Sequence, residues 1–115
     1  MIKKGRDMER EFRERMREGS GTVEITHIFK KEELRGKVRL LARLRLPKGS
    51  SIGYHVHEGE EEVFYILSGR GVVTEGQVVS PVEPGDAVLT GGGGGHSIEN
   101  REQTPLELLA TILTY

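Results

Sequence analysis

The sequence predicts an all-β protein, a sandwich or small barrel, with one short helix at its N-terminus. Three observations carry this prediction. From Thr22 onward apolar and polar residues alternate at a period of two. Such runs are short and recur along the chain, separated by clusters of Gly, Pro, Asn, Asp and Ser. The length, 115 residues, is enough to bury one core and too little for two.

Taken in order, residues 6–18 read as the helix. Met8, Phe12 and Met16 fall four apart and form a narrow apolar stripe. Glu9 with Arg13, and Glu11 with Arg15, are favourable pairs at the same spacing, and Gly19-Ser20-Gly21 ends the segment. A stripe that narrow has no core of its own, so it must dock on the main body or on a second subunit. Thr22–Phe29 is the first strand, with Val23, Ile25, His27 and Phe29 on one face. In Val38–Leu46, Val38, Leu40, Ala42, Leu44 and Leu46 share a face, and Arg39, Leu41, Arg43 and Arg45 the other. Strands then follow at 52–57, 62–67, 70–75, 77–80, 86–90, 96–99 and 106–114. Between them lie turn sequences such as Ser68-Gly69-Arg70-Gly71, Glu75-Gly76 and Pro84-Gly85-Asp86. Strands 62–67 and 106–114 are apolar on both faces, which calls for a cover over the outer one. A second sheet, the N-terminal helix or a second subunit would supply it, and together with the narrow Met8, Phe12 and Met16 stripe this makes a homodimer the expectation.

Composition narrows the function classes. There are no cysteines, which excludes disulfide scaffolds, thiol nucleophiles and cysteine-held zinc. No apolar run approaches the ~20 residues of a membrane helix. The start, MIKKGRDMEREF, lacks the apolar centre of a secretory signal. A cytoplasmic protein without membrane partners is therefore expected. The formal net charge of −1 argues against a nucleic-acid partner. Charge is nonetheless uneven: residues 30–48 carry eight Lys/Arg and two Glu, whereas 49–115 carry two Arg and ten acids. Amides are scarce beside abundant Glu, Lys and Arg, a usage resembling that of thermophiles.

The chemistry concentrates in one stretch. His55 and His57 are two apart on a strand, so both imidazoles face one way. Four residues then make a turn, and Glu62 can return a carboxylate toward them. His96 begins a later strand, directly after the glycine run Gly91–Gly95. Three imidazoles and one carboxylate suit a first-row divalent metal with positions left open. Glu58, Glu60 and Glu61 read as an acidic turn beside this site, one of them a candidate acid or base. Asn100 reads as a turn-closing residue, and the glycine run as a permissive loop, a mobile gate or an anion cradle. His27 reads as a core or interface residue, with a place in the pocket as the sharper alternative. Arg39, Arg43 and Arg45 read as a solvated or inter-subunit face, or as donors to a substrate carboxylate.

Gly49, five residues, His55, one, His57, four, Glu62, six, and Gly69 reproduce the spacing of the first cupin motif. Gly93, two residues, His96, three, and Asn100 resemble the second, with Gly91 where that motif has proline. The resemblance covers residues 38–113. It implies a double-stranded β-helix, or jelly-roll, barrel with the site inside: residues 1–21 form a helical extension and 22–115 a single cupin domain. It also implies that His55, His57, Glu62 and His96 hold one divalent transition metal (Mn, Fe, Zn, Ni, Co or Cu), with Mn slightly favoured. The chain looks similar to small cupins labelled oxalate-decarboxylase-like.

What the resemblance implies for function is a metalloenzyme acting on a small oxygenated organic acid or carbonyl compound, as a decarboxylase, dioxygenase or isomerase. The alternatives are a non-catalytic metal-dependent small-molecule binding protein or sensor, and a sugar-type isomerase. One departure bears on this choice. The family's oxalate decarboxylases carry an arginine, and its oxalate oxidases an asparagine, three residues before the first motif histidine, where this chain has Ile52. Oxalate is therefore expected to bind at the metal with little turnover.

Overall fold

The computed structural model describes all residues, 1–115. The protein consists of ten strands: β1 (Glu9–Glu14), β2 (Thr22–His27), β3 (Val38–Leu46), β4 (Ser51–Val56), β5 (Glu60–Ser68), β6 (Gly71–Glu75), β7 (Val78–Val82), β8 (Ala87–Gly91), β9 (Gly95–Glu99) and β10 (Leu106–Thr114). They form two antiparallel sheets. One has the order β1-β2-β3-β10-β5-β8 and the other β4-β9-β6-β7. The all-β expectation and the jelly-roll barrel hold, and the predicted strands fall on β2 to β10 with ends shifted by a residue or two.

The core lies between the sheets. Val23, Ile25, Ala42, Leu44, Leu46, Phe64, Ile66, Leu106, Leu108 and Ala110 come from the larger sheet, and Ile52, Val73 and Ile98 from the smaller. Period-two alternation explains this directly: Ala42, Leu44 and Leu46 point in while Arg43 and Arg45 point out. Burying such side chains stabilises by roughly 1.5–3 kcal/mol each.

The N-terminal segment departs from the expected helix. Residues 9–14 form a strand, and only Gly5–Asp7 and Met16–Glu18 make single 3₁₀ turns. β1 pairs with β2 along its length, from Glu9 opposite His27 to Glu14 opposite Thr22. The physical reason is competition between two uses of the same backbone. An isolated 13-residue helix is marginal in water, and its stripe is only three residues wide. As a strand the segment satisfies β2, which otherwise is an open sheet edge. Charge follows the same choice. Arg13 pairs with Glu11 at 3.2 Å along one strand face, and Arg10 reaches Glu24 on β2 at 3.1 Å, instead of making helical pairs. Phe12 is left exposed and Met16 packs against the core. The stripe therefore does not exist as a surface.

The glycine run is a tight hydrogen-bonded turn between β8 and β9. The Gly93 amide donates to the His57 carbonyl and the Gly94 amide to that of Gly91, at 2.9 and 3.1 Å. Those two amides are thus unavailable to an anion, which favours the permissive-loop reading. Gly91 and Gly95 are required sterically, because a Cβ would meet Glu61 at the first and the Tyr54 ring at the second, each at 2.6 Å.

Candidate metal centre

Both sheets contribute to the site. His55 on β4 lies directly opposite His96 on β9. Ile52 and His55 are three apart and would face opposite ways in a regular strand. A register shift between them turns both inward. His57 follows the end of β4, and its amide donates to the Gly94 carbonyl at 2.9 Å. Glu62 comes from β5 in the facing sheet. Its carboxylate points in beside Phe64 and Ile66, as strand parity requires.

The four side chains expected to act together do meet. His96 Nε2 lies 3.1 Å from His57 Nε2, 3.2 Å from His55 Nε2 and 2.9 Å from Glu62 Oε1. Glu62 Oε1 is 3.1 Å from His57 Nε2 and 3.8 Å from His55 Nε2. All four donor atoms fall within 4.8 Å of one another. His57, Glu62 and His96 are buried and His55 is nearly so.

The tautomers decide what this cluster can hold. His55 Nδ1 donates to the Gly53 carbonyl at 2.8 Å, and His57 Nδ1 to the Glu60 carboxylate at 2.6 Å. Each imidazole in its neutral form has one N–H, so both rings present Nε2 lone pairs to the centre. They meet there with the Glu62 carboxylate. Lone pairs this close repel unless a cation lies among them. Donor atoms bound at right angles to a divalent ion at ~2.1 Å stand about 3 Å apart, and the observed separations match. The residues therefore fit a divalent metal. His96 Nδ1 is buried with no hydrogen-bond partner, and its ring stacks on Phe64 with centroids 4.7 Å apart. That ring is held by packing rather than by a polar partner.

Electrostatics agree. Burial by itself raises the Glu62 carboxyl, but hydrogen bonding and positive charge at the imidazoles, His55 and His96 foremost, outweigh it and hold the group at about 2 when protons rather than an ion occupy the centre; a metal among neutral rings would supply that positive charge instead. The centre thus keeps a carboxylate charge well into acid. Glu60 is also lowered, first by the Arg39 guanidinium, which grips it at 3.0 and 2.9 Å. Arg39, Glu60 and His57 form one chain that fixes the imidazole.

His55, His57 and Glu62 line a cavity of about 70 Å³, with His96 buried behind them. Its apolar wall includes Met16, Ile25, Leu40, Leu44, Ile52 and Phe64, and Glu11, Arg13, Arg17 and Arg39 carry its charge. A larger cleft of about 310 Å³ between Arg70, Glu83 and Arg101 holds no imidazole and no carboxylate–histidine cluster. Of the other expected residues, Asn100 closes a turn, donating to the Leu46 and Thr104 carbonyls at 2.9 and 2.8 Å. His27 binds Glu11 at 2.6 Å behind the cavity wall. Arg43 and Arg45 face outward. Sequence reasoning missed the whole contribution of β1 and its turn, because a helix hid the strand parity that aims Glu11 and Arg13. It also left Glu60 in an acidic turn. The i,i+3 spacing from His57 was the available signal.

Two facing antiparallel sheets with three imidazoles and a carboxylate between them define a small β-barrel protein with a candidate metal centre inside. Residues 42–112 match the model of the Cupin_2 family, described as the cupin domain. The chain belongs to the cupin family. It is 49% identical over 98 residues to a protein of Thermotoga maritima named "Oxalate-binding protein", covering 85% of this chain and 81% of that one. It is 35% identical over 95 residues to an uncharacterized protein of Methanocaldococcus jannaschii, covering 81% and 72%. Among solved structures, a predicted oxalate decarboxylase from T. maritima superposes with a TM-score of 0.94 at 43% identity, over 100% of both chains.

Proposed function

We propose that the protein binds one divalent transition-metal ion through His55, His57, Glu62 and His96, and uses it to capture a small carboxylate anion of the oxalate class. Residues 22–115 are the cupin unit, and residues 1–21 add a strand and a turn to it. The observation that carries this reading is the convergence of three imidazole nitrogens and a carboxylate oxygen within 4.8 Å, three of the four residues (His55, His57 and Glu62) lining one small cavity. A divalent ion held by one carboxylate keeps a net charge near +1, which attracts an anion, and its unfilled positions suit oxygen donors. A cavity of about 70 Å³ matches a ligand of a few heavy atoms. The Thermotoga relative's name, "Oxalate-binding protein", supports the same ligand class.

Binding is favoured over turnover by what surrounds the centre. Decarboxylation needs a donor on the carboxylate that becomes the leaving CO₂ and an acid to protonate the carbanion. Ile52 is buried in the cavity wall and donates nothing. Glu11 is the carboxyl group that lines the cavity besides Glu62, but His27 and then Arg13 hold it ionised, below the usual carboxylate range. An ionised carboxylate with two fixed partners is a poor proton donor. A second reading, a metal-dependent decarboxylase, rests on the resemblance to the predicted oxalate decarboxylase.

The test is metal analysis of the purified chain, followed by calorimetric titration of the Mn-loaded protein with oxalate and an assay for CO₂ and formate. The expected result is one metal per chain, saturable oxalate binding, and turnover far below the ~1–10³ per second of ordinary enzymes. Full metal content in His55→Ala would overturn the ligand assignment. Turnover within that range would replace binding with catalysis.

A further inference from the structure

We infer that Arg17 holds the outer carboxylate of the bound anion, so that a residue outside the matched family segment sets ligand selectivity. The inference rests on the anion-binding reading above and adds the residue that recognises the second charge. Three arginines line the cavity, Arg13, Arg17 and Arg39. Two are already neutralised: Arg13 by Glu11 and Arg39 by Glu60. Arg17 lines the cavity while exposed to solvent, and it makes no ion pair and no side-chain hydrogen bond, so its five N–H donors are unclaimed. A planar guanidinium with no internal partner fits a carboxylate in two-point fashion.

The backbone beneath Arg17 is built at a cost. Arg15, Arg17 and Glu18 have φ of 48°, 54° and 64°, the left-handed region that side chains other than glycine rarely adopt. Nothing in solvent would maintain three such residues within four positions. The turn is held instead by close packing on β4. A methyl at Gly53 would collide with the Arg17 carbonyl, and one at Gly19 with the Ser51 carbonyl. The Ser51 amide also donates to the Ser20 carbonyl at 2.8 Å. Met16 anchors the turn by packing on the core. Strain of this kind, confined to the rim of the candidate centre, is what a pre-set binding residue requires. Arg17 thus supplies the outer carboxylate with a donor that Ile52 does not, and the preference for binding over turnover then rests on the missing proton donor alone, because Glu11 is held ionised.

The selectivity that follows is for two charges over one. A dicarboxylate such as oxalate can give one end to the metal and the other to Arg17, whereas formate has one end only.

The test compares Mn-loaded wild type, Arg17→Gly, Arg17→Lys and Arg43→Ala for metal content, melting temperature, and affinity for oxalate and for formate. Glycine adopts the left-handed conformation freely, so Arg17→Gly should melt at or a few degrees above wild type. It should keep its metal and bind oxalate ~10–100-fold more weakly, the usual loss for a charge-assisted contact. Its formate affinity should change less than threefold. Arg17→Lys should recover part of the oxalate affinity. Arg43→Ala, on the outer face, should match wild type in metal content and in both affinities. Oxalate binding unchanged in Arg17→Gly, or weakened equally in Arg43→Ala, overturns the assignment and leaves anion binding standing. Metal-loaded wild type that binds no oxalate overturns both.

Discussion

At the scale of single residues the centre depends on side chains that never touch the metal position. Glu60 accepts from His57 Nδ1 and is itself gripped by Arg39, so it fixes both the tautomer and the direction of that imidazole. Glu60→Ala should weaken Mn binding by ~10–100-fold while circular dichroism stays that of the wild type. His96 is the contrasting case. With Nδ1 unpartnered and Phe64 stacked on the ring, its orientation is a packing property. Phe64→Leu should loosen metal binding and also lower the melting temperature, because it leaves a void in the core. Comparing apparent metal affinity with thermal stability across the two variants separates polar from apolar support. His55, His57 and Glu62 were legible in the sequence because strand parity and motif spacing act on near neighbours, and His96, 34 residues further on, was legible only through the resemblance of its own motif. The mouth of the cavity was not, because Glu11, Arg13 and Arg17 reach it only through pairing that no local pattern encodes.

At the scale of elements the informative case is β1. Its i,i+4 apolar residues and charge pairs satisfied every local rule for a helix, yet the segment is an edge strand. Local preference over 13 residues is a small energy, and a ladder of six residue pairs with β2 outweighs it. The charges that read as helical pairs instead join strands: Lys30 reaches Glu9 at 2.8 Å and His27 reaches Glu11 at 2.6 Å. These contacts make β1 acid-sensitive. Glu9 is held below the ordinary carboxylate value of 4.5 by its hydrogen bond from Lys30, and Glu11 by its bond with His27. A depressed carboxyl contributes stability that is full above its ordinary value and is lost as pH falls through its lowered one. Below about pH 4.5 the β1 amides should therefore lose hydrogen-exchange protection while those of β3 and β10 keep theirs. Equal loss across the larger sheet would mean that the ladder alone, and not these pairs, holds β1.

At the scale of the whole molecule, part of the outer face of the larger sheet, over β10, β5 and β8, stays apolar. Tyr65 and Leu67 on β5, Leu89 on β8 and Leu113 on β10 are exposed, Leu89 by 62%. The doubly apolar strands read from the sequence are therefore real. We expect a homodimer through this face, with a mass near twice 12.8 kDa by light scattering at micromolar concentration. Tyr65→Glu should halve that mass and leave metal content unchanged; a wild-type mass near 12.8 kDa would show that the face stands open to water. Sheet order has a further consequence, for how the chain is made. β10 lies between β3 and β5 in the middle of the larger sheet, yet it is the last of the ten strands to leave a ribosome. While it is missing, β3 and β5 have no common neighbour, and the β1-β2-β3 and β5-β8 halves of the larger sheet are not joined. The larger sheet therefore cannot be completed until Leu106–Thr114 emerges, and its longest-range pairings form last, a topology that folds slowly.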